Sequence, residues 1–169
     1  MASYDFDNGE DFINTRDIAS AIEDFESEIE DLESDIDELQ EEVDELEEKR
    51  ADEEDDDAID AFNKDIEKVE EKIKEKKDEK VSLEQELEIL KNLEDEFKGY
   101  CDWRGGETLI RETCFVQYCK DLIDDIGDLP SKLPSYIENN IDWEGVAEDL
   151  KADYTSGDYD GVEYLVRSS

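Results

Sequence analysis

The residues of this chain that could do chemistry are carboxylates, and their spacing suits ion pairing better than catalysis. Glu23, Glu30, Asp37 and Asp44 recur every seven residues, with Asp24, Asp31, Glu38 and Glu45 beside them. Asp55, Asp56 and Asp57 close the series in the stretch ADEEDDD. No Lys or Arg interrupts the chain from Ile18 to Glu48. Such a surface pairs with Lys and Arg and gains affinity by releasing counterions. Among so many carboxylates no pair stands out as an acid–base couple, so a non-enzymatic role is expected. Histidine is absent, which removes the commonest general base and the commonest metal ligand together.

The imbalance is large. Against 57 Asp+Glu stand 18 Lys+Arg, a formal net charge of −39 in 169 residues. Small soluble domains carry a net charge of about 2–8 in magnitude, and an excess beyond this costs folding free energy through self-repulsion. The excess disfavours direct binding to nucleic acid or to an anionic membrane. It favours a basic protein partner, and a cleft that normally holds nucleic acid is one such surface. On a helix, the acids between Ile18 and Glu48 would fall about 3 Å apart along the axis, against ~1.7 Å per charge in duplex DNA. The competing reading is plainer. A charge run is ordinarily a solvated face, and an acidic coiled coil can serve as a scaffold or adaptor while a second module binds the protein partner.

Other candidate chemistry is thin. ADEEDDD lacks the glycine and spaced ligands of a calcium loop. Cys114 and Cys119 do not make a zinc pattern without further ligands. Arg104-Gly105-Gly106 is too short for a phosphate loop and reads as a tight turn before the next helix. Neither metal nor cofactor is expected. The three cysteines are an odd number and no signal peptide opens the chain, which fits reduced thiols in a cytoplasm. No apolar run is long enough to span a membrane.

These acids need an ordered scaffold, and the apolar residues supply one. Asn14 is a candidate N-cap. Ile18, Ile22, Phe25, Ile29, Leu32, Ile36, Leu39, Val43 and Leu46 follow at 4-3-4-3 spacing, a heptad seam with the acids at b and c. The chain turns at about 51–57. A second seam runs through Ile59, Phe62, Ile66, Val69, Ile73, Leu83, Leu87, Leu90 and Phe97, with Lys76, Lys80 and Glu94 at seam positions. A parallel pair of first helices would set Glu28 against Glu33 and Glu42 against Glu47. An antiparallel hairpin places Lys49 near Asp65, Glu42 near Lys72 and Glu33 near Lys77, and also Glu28 near Glu86 and Asp35 near Glu79; this partial match is preferred, and a homodimer through a remaining face stays open. Eight like-charged i,i+4 pairs along the first helix cost about 2–4 kcal/mol. One buried seam Leu or Ile returns about 1.5–3 kcal/mol, so the seam prevails.

The expected fold is mainly α: an acidic arm (1–13), a coiled-coil hairpin (14–98), and a compact α+β module (99–169). Net charge falls from −29 before Gly99 (41 acidic, 12 basic) to −10 after it (16 acidic, 6 basic). The module should hold a helix over 111–126 closed by Gly127, a loop over 128–135, a helix over 143–153 capped by Asp142, and a β-hairpin turning at Asp160-Gly161. Trp103, Phe115, Trp143, Tyr154 and Tyr164 are its expected core, with Cys119 buried and Cys114 half-exposed.

Three segments of the module, GETLIRETCFVQYCKDLIDDIG, YIENNIDWEGVAEDLKADYT and YDGVEYLVR, resemble the tail of a group of phage-encoded acidic proteins. FINTRDIASAIEDFESE resembles the head of the same group. IDWEGVAEDL is also similar to the C-terminal region of ArdA-type antirestriction proteins. The second resemblance implies a mimic of bent DNA that occupies the DNA groove of a restriction–modification enzyme. Together they imply a phage or mobile-element inhibitor acting in the host cytoplasm on a basic DNA-binding defence protein, a restriction–modification or CRISPR effector among them.

Overall fold

A computed structural model describes residues 6–127, 129 and 133–168. The fold is mainly helical: two long helices pack together, and a small antiparallel sheet follows. The elements in order are β1 (Phe12–Asn14), α1 (Thr15–Ala51), α2 (Asp56–Phe97), β2 (Thr108–Arg111), a 3-10 turn (Glu112–Cys114), α3 (Phe115–Ile126), α4 (Ser135–Glu138), α5 (Trp143–Lys151), β3 (Tyr154–Tyr159) and β4 (Val162–Arg167). Two compact units result. One is Glu23–Glu88; the other joins Met1–Ile22 to Ile89–Ser169.

The first unit is the antiparallel hairpin. Val43, Ile66, Val69 and Ile73 form its buried centre, with Ile36, Leu39 and Leu46 packed against them. The turn is shorter than the expected 51–57, because Asp55 caps α2. Its carboxylate accepts the N–H groups of Asp57 (2.9 Å) and Ala58 (3.3 Å), so the helix begins at Asp56. The register also differs from expectation. Glu33 pairs with Lys80 rather than Lys77, at 2.6 Å, and Asp35 pairs with Lys76 at 2.6 Å. Lys49 turns back to Glu45, and Asp65 pairs with Lys68 on its own helix. The polar seam positions thus reach across to carboxylates instead of facing carbon.

The second unit is built on a four-stranded antiparallel sheet in the order β1-β2-β4-β3. Ile110 and Leu165 face Phe115, Cys119 and Ala147 from α3 and α5. Leu109, Tyr164 and Val166, the alternate residues, are also fully buried. The end of α2 approaches this second face closely. A Cβ on Gly157 would lie 2.6 Å from a ring carbon of Phe97, so β3 needs glycine there. Phe97 in turn stacks on Trp103. Thr15 ties the start of α1 to the loop before β2. Its hydroxyl donates to the Trp103 carbonyl (2.7 Å) and accepts from the Glu107 N–H (2.9 Å), fully buried. Asn14 caps α1 by accepting the Arg16 N–H.

Several expectations hold and several are corrected. Gly127, at φ +74, ends α3; Asp142 accepts the Gly145 N–H; Asp160 and Gly161, both at positive φ, turn the β3–β4 hairpin. Residues 12 and 13, read as the end of an arm, form β1 with Asn14, and Ile13 is buried against the sheet. The helix expected from 111 begins at Phe115, because Arg111 ends β2. The Arg104-Gly105-Gly106 turn therefore leads into a strand, not a helix. Leu93 takes the core position expected for Glu94 and is fully buried. Trp143 is only half-buried, with the Lys120 ammonium 5.7 Å from its ring centre. Much of the expected 128–135 loop lies outside the described residues; α4 begins at its end.

Candidate functional site

The outer face of α1 is the candidate site. A heptad seam turns b, c and f positions away from the partner helix, and the burial pattern follows that rule. Glu23, Asp24, Glu30, Asp31, Asp37, Glu38, Asp44 and Glu45 are all exposed, as are Asp55, Asp56 and Asp57. The b and c pairs repeat every heptad, about 10.5 Å along the axis. Glu41 and Glu48, at the f positions, extend the same face; the heptad register alone locates them.

These carboxylates differ in how much is already satisfied. Asp24, Glu30, Asp31, Asp37, Glu38 and Asp44 have no hydrogen bond or ion pair among the described residues. Glu45 holds Lys49 at 3.2 Å, both largely exposed, a contact worth little in water. Asp55 is spent on capping α2. Asp56 and Asp57 lie in the first turn of α2, where negative charge suits the helix dipole.

The lysines divide the hairpin. Residues 33–49 of α1 hold 10 acidic and 1 basic residue, net −9, whereas residues 64–80 of α2 hold 7 of each, net 0. Glu33–Lys80 and the Arg50–Asn63 hydrogen bond place these stretches opposite one another. Hydrogen bonds to Asp35 and Glu33 raise the Lys76 and Lys80 ammonium groups above the ordinary lysine range. These cross-links therefore persist through neutral pH, and on the alkaline side they are lost as the pH passes the raised lysine values. One flank of the rod is partly neutralised, while Asp24, Glu30, Asp31, Asp37, Glu38 and Asp44 on the outer α1 face keep no partner among the described residues.

The other candidate groups are the three cysteines. Burial pushes the Cys101 and Cys119 thiols up, and a hydrogen bond with Asp11 does the same for Cys114. All three stay protonated and poorly nucleophilic at neutral pH. Among the described residues, no group of three or more metal-ligating side chains is arranged to hold an ion. No helix among the described residues is long and apolar enough to cross a membrane.

A family model described as antirestriction protein (ArdA) matches residues 8–163. The match spans hairpin and sheet alike, and the chain belongs to this family. No curated protein and no solved structure matches it.

Proposed function

From this membership of the ArdA antirestriction family, we propose that the chain is a non-enzymatic DNA mimic. It inhibits a host defence protein by occupying its basic nucleic-acid cleft. The observation that carries this reading is the ordered, exposed and lysine-free face of α1, with Glu23, Asp24, Glu30, Asp31, Asp37, Glu38, Asp44 and Glu45 presented at heptad spacing. Carboxylates about 3 Å apart along an axis approach the charge spacing of a duplex. Cleft lysines and arginines that release counterions to a phosphate backbone can do so to this face as well. Asp56 and Asp57 continue it at the tip of the hairpin.

The partner is a restriction–modification enzyme in the first instance and a CRISPR effector in the second, met in the cytoplasm of a bacterial host after entry of a phage or mobile element. The α+β unit contributes orientation or contacts particular to the target, and a homodimer through a remaining face of the hairpin is the assembly proposed. The test is plating of unmodified phage on a restricting strain that expresses the chain, with cleavage by the purified restriction enzyme alongside. Protection should rise with expression, and inhibition should compete with DNA and weaken with salt. Undiminished inhibition by a chain with Lys at Glu30, Asp31, Asp37, Glu38, Asp44 and Glu45 would overturn the charge mechanism.

A further inference from the structure

We propose that the outer edge of β3 is a docking strand for an extended, Lys- or Arg-bearing segment of a partner protein. The proposal is independent of the α1 face.

β3 closes one side of the sheet, with β4 as its one neighbour. Tyr159 pairs with Val162 across the two-residue turn, Gly157 with Tyr164 and Thr155 with Val166. A tight hairpin makes the pair flanking its turn a hydrogen-bonded one, and bonding alternates from there. Ser156 and Asp158 consequently point their backbone groups outward. Asp158 shows this parity directly, since its N–H donates to the Glu96 carboxylate at 2.7 Å. Ser156 is exposed, and its outward N–H and C=O have no partner among the described residues.

Natural edge strands are usually blunted by lysine, proline or a bulge. Thr155-Ser156-Gly157 carries none of these. A groove of about 510 Å³ runs beside it, lined by Glu96, Tyr100, Ser156 and Glu163 among others. A second groove of about 550 Å³ meets the first at Glu96 and Asp158 and adds Asp160, and also Asp95, which Lys98 pairs. No Lys or Arg lines either groove. An added strand would take its backbone bonds from Ser156 and its side-chain specificity from this acidic rim, the division of labour in strand addition. The rim selects the occupant. A second copy of this chain would bring the same carboxylates against themselves, whereas a basic extended segment neutralises them.

The experiment uses the full chain and an acetylated, amidated heptapeptide alternating lysine with valine or threonine. A control peptide of equal charge carries N-methyl groups at alternate backbone nitrogens. Binding is followed by amide NMR shifts at about 0.15 M salt, where surface charges are screened beyond ~8 Å. Shifts should centre on residues 154–158, and N-methylation should weaken binding about five- to tenfold. Ser156→Pro should do the same, because proline at this position deletes only an outward N–H; circular dichroism reports whether that variant folds. Should it not fold, the two peptides on the unaltered chain decide the matter alone. Equal affinity for both peptides, or shifts confined to α1, would overturn the proposal and leave charge attraction alone. Failure of the α1 reading appears separately, in the restriction assay.

Discussion

Residues 33–49 of α1 and 64–80 of α2 line one seam from opposite sides, yet the first stretch is net −9 and the second net 0. Both are helices of similar length with the same apolar period. α2 shows what such a helix looks like when lysine and carboxylate alternate. It packs against α1 and forms local pairs such as Lys68–Asp65. α1 could have been built that way. Its eight repulsive i,i+4 pairs, at about 2–4 kcal/mol in sum, answer no requirement of the hairpin. The charge of α1 is therefore an addition to the fold, and under the proposed function it is this helix of the two that meets the basic cleft.

The sharpest way to break this comparison is to reverse one helix and then the other. Lys at Glu30, Asp31, Asp37, Glu38, Asp44 and Glu45 should reduce inhibition of a restriction enzyme on the order of 100-fold, as expected when several charge contacts at an interface are inverted together. Lys at Glu67, Glu70, Glu71, Glu75, Asp78 and Glu79 on α2 makes the same six charge reversals and should cost no more than about threefold. Equal losses from the two helices would show that net charge alone matters. That result would make the asymmetry incidental.

A second variant separates charge from fold. Thr15→Val keeps the shape of the side chain but strands the Trp103 carbonyl and the Glu107 N–H in a buried site. Stability should fall by about 1–3 kcal/mol, seen as a lower urea midpoint, while inhibition per folded molecule stays unchanged. A loss of inhibition without a loss of stability would move the functional surface toward the start of α1 and the loop it holds.

The seam lysines offer a smaller effect of opposite sign. Lys76→Leu with Lys80→Leu continues the apolar seam and should raise the melting temperature by roughly 3–6 °C, because half-buried ion pairs seldom match well-packed carbon. The same change frees Glu33 and Asp35 from their partners and removes the polar layer that fixes how the helices pair. Light scattering should then show some self-association. A melting temperature that falls instead would show that the two ion pairs contribute more to the hairpin than packed leucines do.

How much of this was legible without coordinates depended on the range of the interaction. The α1 seam, Asp142, Gly127 and Asp160-Gly161 act within a few residues of themselves, and periodicity or capping chemistry exposes them. The outer α1 face follows from the same heptads. β1 and β2 were not legible. They are three and four residues long, and the Ile13–Leu109 pairing joins positions far apart in the chain, so no local pattern marks them. The heptads mark Lys80 as a polar seam residue, but its partner lies 47 positions away. Which carboxylate it meets depends on the length of a turn that Asp55 shortens by capping. Leu93 replaces Glu94 in the core for a related reason, since the end of α2 packs under a sheet and no longer follows the heptads.

Salt gives the gentlest test, and it should move stability and inhibition in opposite directions. Raising ionic strength from about 0.01 M to 1 M shortens the screening length from ~30 Å to ~3 Å. The carboxylates of α1 then repel one another less, and the melting temperature should rise by a few degrees, roughly 2–4 °C for each kcal/mol relieved. The same screening weakens pairing with a basic cleft, so inhibition should fall over that range. A chain carrying the six α1 lysines has lost the repulsion and should show a flatter stability curve, while the α2 variant should keep the slope of the parent. If the parent's melting temperature did not respond to salt, the repulsion assigned to α1 would already be offset within the fold, and α1 and α2 would differ in sequence more than in energy.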